Sequence, residues 1–201
     1  AEPRAGGSIG TVTPFSNNAE ICSFPRLCVD NSLPLGFSAG DLDDVFAKTL
    51  PAVTVDLPTA VGFCMYIRRD CLKEVGPFDA ETFGLGYGEE NDFCQRAIAK
   101  GWRNVLAANC FVEHRGGVSF SSRKQALVAK AMDILDRRYP SYHANVANWI
   151  ADDPAYALRC TGMIEVLRRD ARVKVLALTH QMGGGTEKHV RELADATDAR
   201  A

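Results

Sequence analysis

Three carboxylates fall within four positions in Glu89-Glu90-Asn91-Asp92, between the glycine-rich turn Gly86-Tyr87-Gly88 and the start of a helical pattern. From Asp92 onward, Phe93, Ala97 and Lys100 share one side with Cys94 and Ile98 beside it. That is helical spacing, and Gly101 is placed to end the helix. A carboxylate fixed in this way can serve as a general base toward a hydroxyl group. The same residues also make an ordinary acidic first turn, stabilised by unpaired N–H groups and the helix dipole. Both readings stand on the cluster alone.

The neighbourhood separates them. Val75-Gly76-Pro77-Phe78-Asp79 precedes the cluster, and a strand pattern ending in Val112-Glu113-His114-Arg115-Gly116-Gly117 follows it. The full order is an apolar strand, Arg68-Arg69, Val-Gly-x-Phe-Asp, Gly-Tyr-Gly-Glu-Glu-Asn-Asp-Phe-Cys, Gly101-Trp102 and Val-x-His-x-Gly-Gly-x-Ser. This order resembles the C-terminal half of an inverting GT-A-type glycosyltransferase of family 2, over about residues 8 to 122. The resemblance implies transfer of a sugar from a nucleotide-sugar donor to a hydroxyl of a saccharide or lipid-linked saccharide, assisted by a divalent metal, Mn²⁺ or Mg²⁺. It places Glu89-Glu90 on the family's acidic pair, whose second residue is commonly the base, and Asp92 on the acidic residue two further on. The family often has Asp where this chain has Glu90, so the choice of base between Glu90 and Asp92 stays open. His114 matches the histidine that ligates the metal or touches the diphosphate, and Arg115 and Ser119 become the expected donor contacts.

The elements that must position these residues are legible in outline. Ser8 to Pro14 is a short β-prone run, broken by Ser16-Asn17-Asn18 and Pro25, the kind of polar loop that leaves a sheet near a site. Asp41-x-Asp43 imitates the metal signature of nucleotide-sugar enzymes, but it opens an amphipathic helix through Leu42, Val45, Phe46 and Leu50, so it reads as a helix start. Val53 to Leu57 and Thr59 to Ile67 read as strands or one bent strand divided by Pro58, with Gly62 permitting close approach of backbone or substrate. Asp70 is placed to cap a short helix, and Arg68-Arg69 face either phosphate or solvent. Trp102 to Ala107 and Cys110 to His114 read as two strands.

Helical patterns then run from Arg123 to about Tyr139-Pro140, from about Ala144 to Ile150, and from Asp153-Pro154 to about Arg169, with Pro154 at the first helical position. They form a helical extension for packing or spacing, residues 123 to 170. From residue 171, a Val173–Thr179 strand, the Gly183-Gly184-Gly185 loop and a further helix resemble the first βα unit of a GT-B-type glycosyltransferase domain. The expected fold is α/β: a GT-A-like, Rossmann-like mixed sheet in residues 1–122, the helical extension, and the start of a second α/β domain. On this reading the chain is an internal piece of a longer multi-domain enzyme and is catalytically silent when made alone.

The bulk numbers bound the partners. A chain of 201 residues, 46% hydrophobic and 24% charged, can bury a real core. A net charge of -2 argues against nucleic acid, which calls for a concentrated basic stripe. No apolar run reaches the ~20 residues needed to cross a bilayer, and the N-terminus lacks a signal-peptide apolar core. The seven cysteines are scattered without Cys-x-x-Cys spacing, as expected of small apolar residues in a reducing cytoplasm. The tandem arrangement suggests bacterial cell-surface polysaccharide assembly, with the full-length enzyme cytoplasmic or at the inner face of the plasma membrane. A non-catalytic carbohydrate-binding or scaffold module of the same fold is the competing expectation.

Overall fold

The computed structural model describes residues 7–84, 87–115, 122–171 and 185–198. Ordered by sequence, these form β1 (Ile9–Phe15), α1 (Ala39–Thr49), β2 (Thr54–Leu57), β3 (Tyr66–Ile67), α2 (Arg69–Val75), α3 (Ala80–Phe83), α4 (Glu89–Ala99), β4 (Arg103–Phe111), α5 (Ser122–Arg138), α6 (Tyr142–Asp152), α7 (Tyr156–Arg169) and α8 (Gly185–Asp198), with 3₁₀ turns at Glu20–Cys22 and Pro34–Gly36. The fold is mixed α/β. The chain divides into two compact units, residues 1–169 and 170–201.

In the first unit the sheet order is β2-β4-β1-β3. The two central strands, β1 and β4, run parallel, and the edge strands β2 and β3 are antiparallel to their neighbours. β4 earns the centre by composition: Val105 and Leu106 are fully buried. It is one nine-residue strand, where the sequence suggested two, and its register against β1 shifts between Pro14 and Phe15. The parallel pairing has a functional consequence. The C-terminal ends of β1 and β4 open on the same edge, where open α/β sheets place their ligands.

Three cores hold the helices, one of them Phe83, Ala131, Leu135 and Tyr142, which joins α3 to α5 and α6. Leu42, Val45 and Phe46 of α1 pack with Phe15, Phe24, Leu106 and Phe111, with Ala155 in the turn between α6 and α7, and with Val166 of α7. Cys71, Phe93 and Ala97 form another, joining α2 to α4. α1 begins with a capping box: Asp41 N–H donates to Ser38 Oγ at 3.2 Å, and Ser38 N–H donates to Asp41 Oδ2 at 2.9 Å. The Ser38 hydroxyl, donating to Asp41 Oδ2 at 2.6 Å, and then the Ser38 N–H hold the Asp41 carboxyl below the usual range. Asp43 Oδ1 accepts from Phe111 N–H at 3.0 Å, so both aspartates of the Asp-x-Asp imitation have structural work.

Two expectations are corrected here. The span from Thr59 to Ile67 is strand only at Tyr66–Ile67. The rest is loop because α4 takes its polar groups: Gln95 Nε2 donates to Pro58 O at 2.8 Å, Thr59 Oγ1 donates to Asn91 Oδ1 at 2.8 Å, and Ala60 N–H donates to Cys94 Sγ at 3.2 Å. Asp70 lies inside α2, whose N-cap is Arg68, and it pairs with that arginine at 3.0 Å. Arg69 is exposed, and Arg68 also lies over the Trp102 ring at 5.7 Å.

α5, α6 and α7 belong to the same unit as the sheet. Trp149 Nε1 donates to Asp56 O on β2 at 2.7 Å, and Ala155 and Val166 sit in the main core. The helical extension is therefore part of the folded body. α6 is followed by its C-cap Asp153, which adopts the left-handed conformation (φ 40°), and α7 starts at Tyr156, two residues after Pro154. In the second unit α8 carries i,i+4 ion pairs Glu187–Arg191 and Lys188–Glu192 at 2.5 and 3.7 Å. The Val173–Thr179 strand pattern and Gly183-Gly184 lie outside the described residues.

Candidate functional site

α4 begins abruptly. Gly88, its N-cap, has φ 89°, and a Cβ there would stand 3.0 Å from Ala131 Cβ and 3.1 Å from the Phe83 ring. Only glycine tolerates both the left-handed backbone and the close approach. Gly88→Ala is expected to cost about 1–3 kcal/mol, which denaturant unfolding at constant m-value would read directly. The first turn that follows presents Glu89, Glu90 and Asp92 in three different environments.

Asp92 faces inward. Its side chain has no exposed surface; Oδ2 accepts from Arg96 Nε at 2.7 Å, and Oδ1 accepts from Arg138 Nη1 at 2.8 Å and Tyr139 Oη at 2.7 Å. The same arginines extend the tie. Arg96 Nη1 and Nη2 donate to Val75 O and Pro77 O at 2.8 and 3.0 Å, while Arg138 pairs with Asp79 at 2.9 Å and donates to Thr82 Oγ1 at 3.1 Å. Burial and the bond to Asp92 push the Tyr139 hydroxyl pKa up. A carboxylate whose two oxygens serve three donors in the interior has no face left for an acceptor hydroxyl. Asp92 is an anchor: its carboxylate is buried and both its oxygens are engaged within the fold.

Glu90 is half-buried and lies against Gly62: a Cβ on Gly62 would be 3.4 Å from Glu90 Cγ. Burial raises its pKa, and the charges of Glu89 and of Glu20, in the 3₁₀ turn after β1, raise it further. The combination favours a carboxylate that takes a proton readily. Glu89 keeps a buried oxygen, Oε2, without a hydrogen-bond partner among the described residues. Tyr142 of α6 is buried nearby, its pKa raised by burial and by the Glu20, Cys94 and Glu90 charges.

The loop that carries Gly62 connects this carboxylate to the strand ends. Phe63 stacks on His114 with ring centres 5.1 Å apart and an interplanar angle of 23°. His114 is in turn locked to the loop after β1. Its N–H donates to Asn17 Oδ1 at 2.9 Å, Asn17 Nδ2 donates back to His114 O at 3.2 Å, and His114 Nδ1 lies 2.5 Å from Asn18 O. A carbonyl can only accept, so Nδ1 carries a proton, and Nε2 is the nitrogen whose lone pair is left to bind. This is how a metal-ligating histidine is usually oriented. Asn31, buried, completes the scaffold by donating to Asn17 O at 3.2 Å and Val29 O at 2.8 Å.

Comparison with family models, curated proteins and solved structures found no match to this chain. The site therefore rests on its own geometry. It is a line from Glu90 through Gly62 and Phe63 to His114, on the edge where β1 and β4 end. Arg115, an expected donor contact, is exposed and forks onto its neighbour Glu113 at 3.1 and 3.2 Å, which raises its pKa. Ser119 and Gly116-Gly117 lie outside the described residues, as does Gly86. Among the described residues, no three His, Cys, Asp or Glu side chains converge as a metal cage. None of the helices described is long and apolar enough to cross a membrane.

The residues the sequence did not single out are Phe63, Thr59, Asn31 and Tyr142. Only Thr59 carried any signal, as a polar residue beside the proline that divides two apolar runs.

Proposed function

We propose that this chain carries the acceptor side of a GT-A-type inverting glycosyltransferase, with Glu90 as the base that deprotonates the acceptor hydroxyl. The carrying observation is Glu90 itself: a half-buried carboxylate with a raised pKa, one residue pair away from an oriented histidine at the ends of two parallel strands. Inverting transfer needs one base on the acceptor and stabilisation of the leaving diphosphate, and no second carboxylate across the scissile bond. That division matches a site in which Asp92 is withdrawn into the core. The donor is a nucleotide-sugar and the acceptor a saccharide or lipid-linked saccharide, as in cell-surface polysaccharide assembly. Residues 171–201 begin a second, GT-B-like domain on this reading, and the enzyme works in the cytoplasm or at the membrane's inner face.

His114 fits a metal or diphosphate contact because Nδ1 is committed and Nε2 is left to bind. A bound Mn²⁺ or Mg²⁺ would neutralise the departing diphosphate. Since no three-ligand cage forms among the described residues, His114 would share the ion with the donor phosphates. Phe63 holds the imidazole plane, and Asn17 and Asn18 fix its tautomer.

Replacing His114 with Ala is expected to weaken metal-dependent binding of a nucleoside diphosphate roughly tenfold or more, with little change in melting temperature. Calorimetric titration with and without Mn²⁺ measures it; an unchanged metal requirement in a folded variant removes His114 from the site. The overall reading is tested by sugar transfer from a panel of nucleotide-sugars by the full polypeptide. Transfer that survives Glu90→Gln unchanged would favour the non-catalytic carbohydrate-binding module.

A further inference from the structure

The fold satisfies its structural arginines closely. Every guanidinium nitrogen of Arg96 has a partner, and both terminal nitrogens of Arg138 are engaged around Asp92. Arg159 on α7 is different. It is 3% exposed, more deeply buried than either. Its Nη2 forms an ion pair with the Asp153 carboxylate, but neither Nη1 nor Nη2 has a hydrogen-bond partner among the described residues. A buried, unmet N–H on a charged group is costly, and natural interiors rarely leave one.

Arg159 lines a cleft of about 400 Å³ between the Pro25–Leu27 segment and the start of α7, within the range of small-molecule sites. Pro25, Leu27 and Met163 make apolar walls, and Arg26 adds a second guanidinium at the mouth, its Nε committed to Asn31 Oδ1 at 3.3 Å. Two guanidiniums face one carboxylate, leaving a net positive charge. None of the cleft residues belongs to the Glu90–His114 line.

We propose that this cleft binds a small molecule carrying a single oxyanion, carboxylate or phosphate, on an apolar body, with Arg159 Nη1 donating to the anion. Asp153 competes for the same guanidinium. Because it holds a left-handed backbone (φ 40°) at the end of α6, asparagine can replace it without strain.

Cys160 lines the cleft and supplies the readout. Its thiolate displaces iodide from iodoacetate or iodoacetamide, forming an S–CH₂ bond as iodide leaves with the electron pair. Peptide-resolved mass spectrometry of the whole chain gives both rates at Cys160, with half-buried Cys64 as internal reference. The anionic reagent is expected to modify Cys160 with saturation and with a preference over the neutral one roughly tenfold greater than at Cys64, the scale of electrostatic focusing in a cleft. Benzoate and inorganic phosphate should protect Cys160, and the one effective at lower concentration identifies the ligand's anion. Arg159→Gln should abolish the preference and Asp153→Asn should increase it. An iodoacetate preference at Cys160 no greater than at Cys64, or a Cys160 that neither reagent reaches, overturns the proposal. Should Arg159→Gln fail to fold, a preference unchanged or lowered in Asp153→Asn overturns it equally.

Discussion

Asp92→Asn is expected to lower the stability of the sheet unit by about 3 kcal/mol, because removing one partner of a buried ion pair leaves the others uncompensated. The lower end of the range applies since Arg96 and Arg138 reach solvent with 27% and 36% of their side chains, while Asp92 does not. Asparagine keeps the shape but offers one neutral oxygen where the carboxylate served three donors. Its amide N–H₂ would also point a donor at donors. Four segments feel the loss, since the hub joins α4 to the end of α5, to Asp79 and Thr82 at α3, and to the carbonyls of Val75 and Pro77. In a chain of this size the melting temperature should fall by roughly 10 °C. What distinguishes an anchor from a base is where the loss shows. Calorimetry should register the full effect, while kcat of the full polypeptide, per folded molecule below the transition, stays within about threefold of the parent. A normal melting curve with abolished turnover would return Asp92 to the catalytic machinery.

That outcome bears on what the sequence could show. Glu90 and Asp92 look interchangeable in a linear reading, yet two residues on a helix are ~200° apart, so one must face the loop when the other faces the core. The pattern Phe93, Ala97 marked the buried side, and Asp92 lies next to it. What is illegible is the distance in sequence of the partners: Arg138 and Tyr139 are 46 and 47 residues away, at and just past the end of a helix that reads as a spacer. His114 shows the converse. Its place at a strand end was visible, but the parallel pairing of β1 and β4 that brings Asn17 and Asn18 to it, across 97 and 96 residues, has no local signature. The segment from Thr59 to Met65 is β-prone in composition, yet α4 captures its polar groups before a strand partner can. The helix start at Asp41-x-Asp43 is legible because its cap and first turn are local.

Glu90→Gln should separate catalysis from stability in opposite directions. On the proposed mechanism the glutamate accepts the acceptor's proton in the transition state, and the amide cannot, so kcat should fall roughly a hundredfold or more while donor affinity barely moves. In the parent, kcat should rise with pH along a limb lying above the usual carboxylate range, because burial first, then Glu89 and Glu20, hold the Glu90 pKa up. That limb should be missing from the residual activity of the variant. The stability sign follows from the same shift. A carboxyl whose folded pKa is raised contributes stability that is fully present below the unfolded value and is lost as pH rises through the folded one. Gln is neutral throughout and escapes that loss. The variant should therefore melt above the parent at pH 7, and the difference should shrink as the pH falls toward the ordinary carboxylate pKa. This second readout needs no substrate. A Glu90→Gln protein that melts at or below the parent at pH 7 would show that the carboxylate is held by stabilising contacts, as a structural first-turn residue would be. A gain in melting temperature accompanied by loss of turnover is the signature of a charge kept in an unfavourable place for its chemistry.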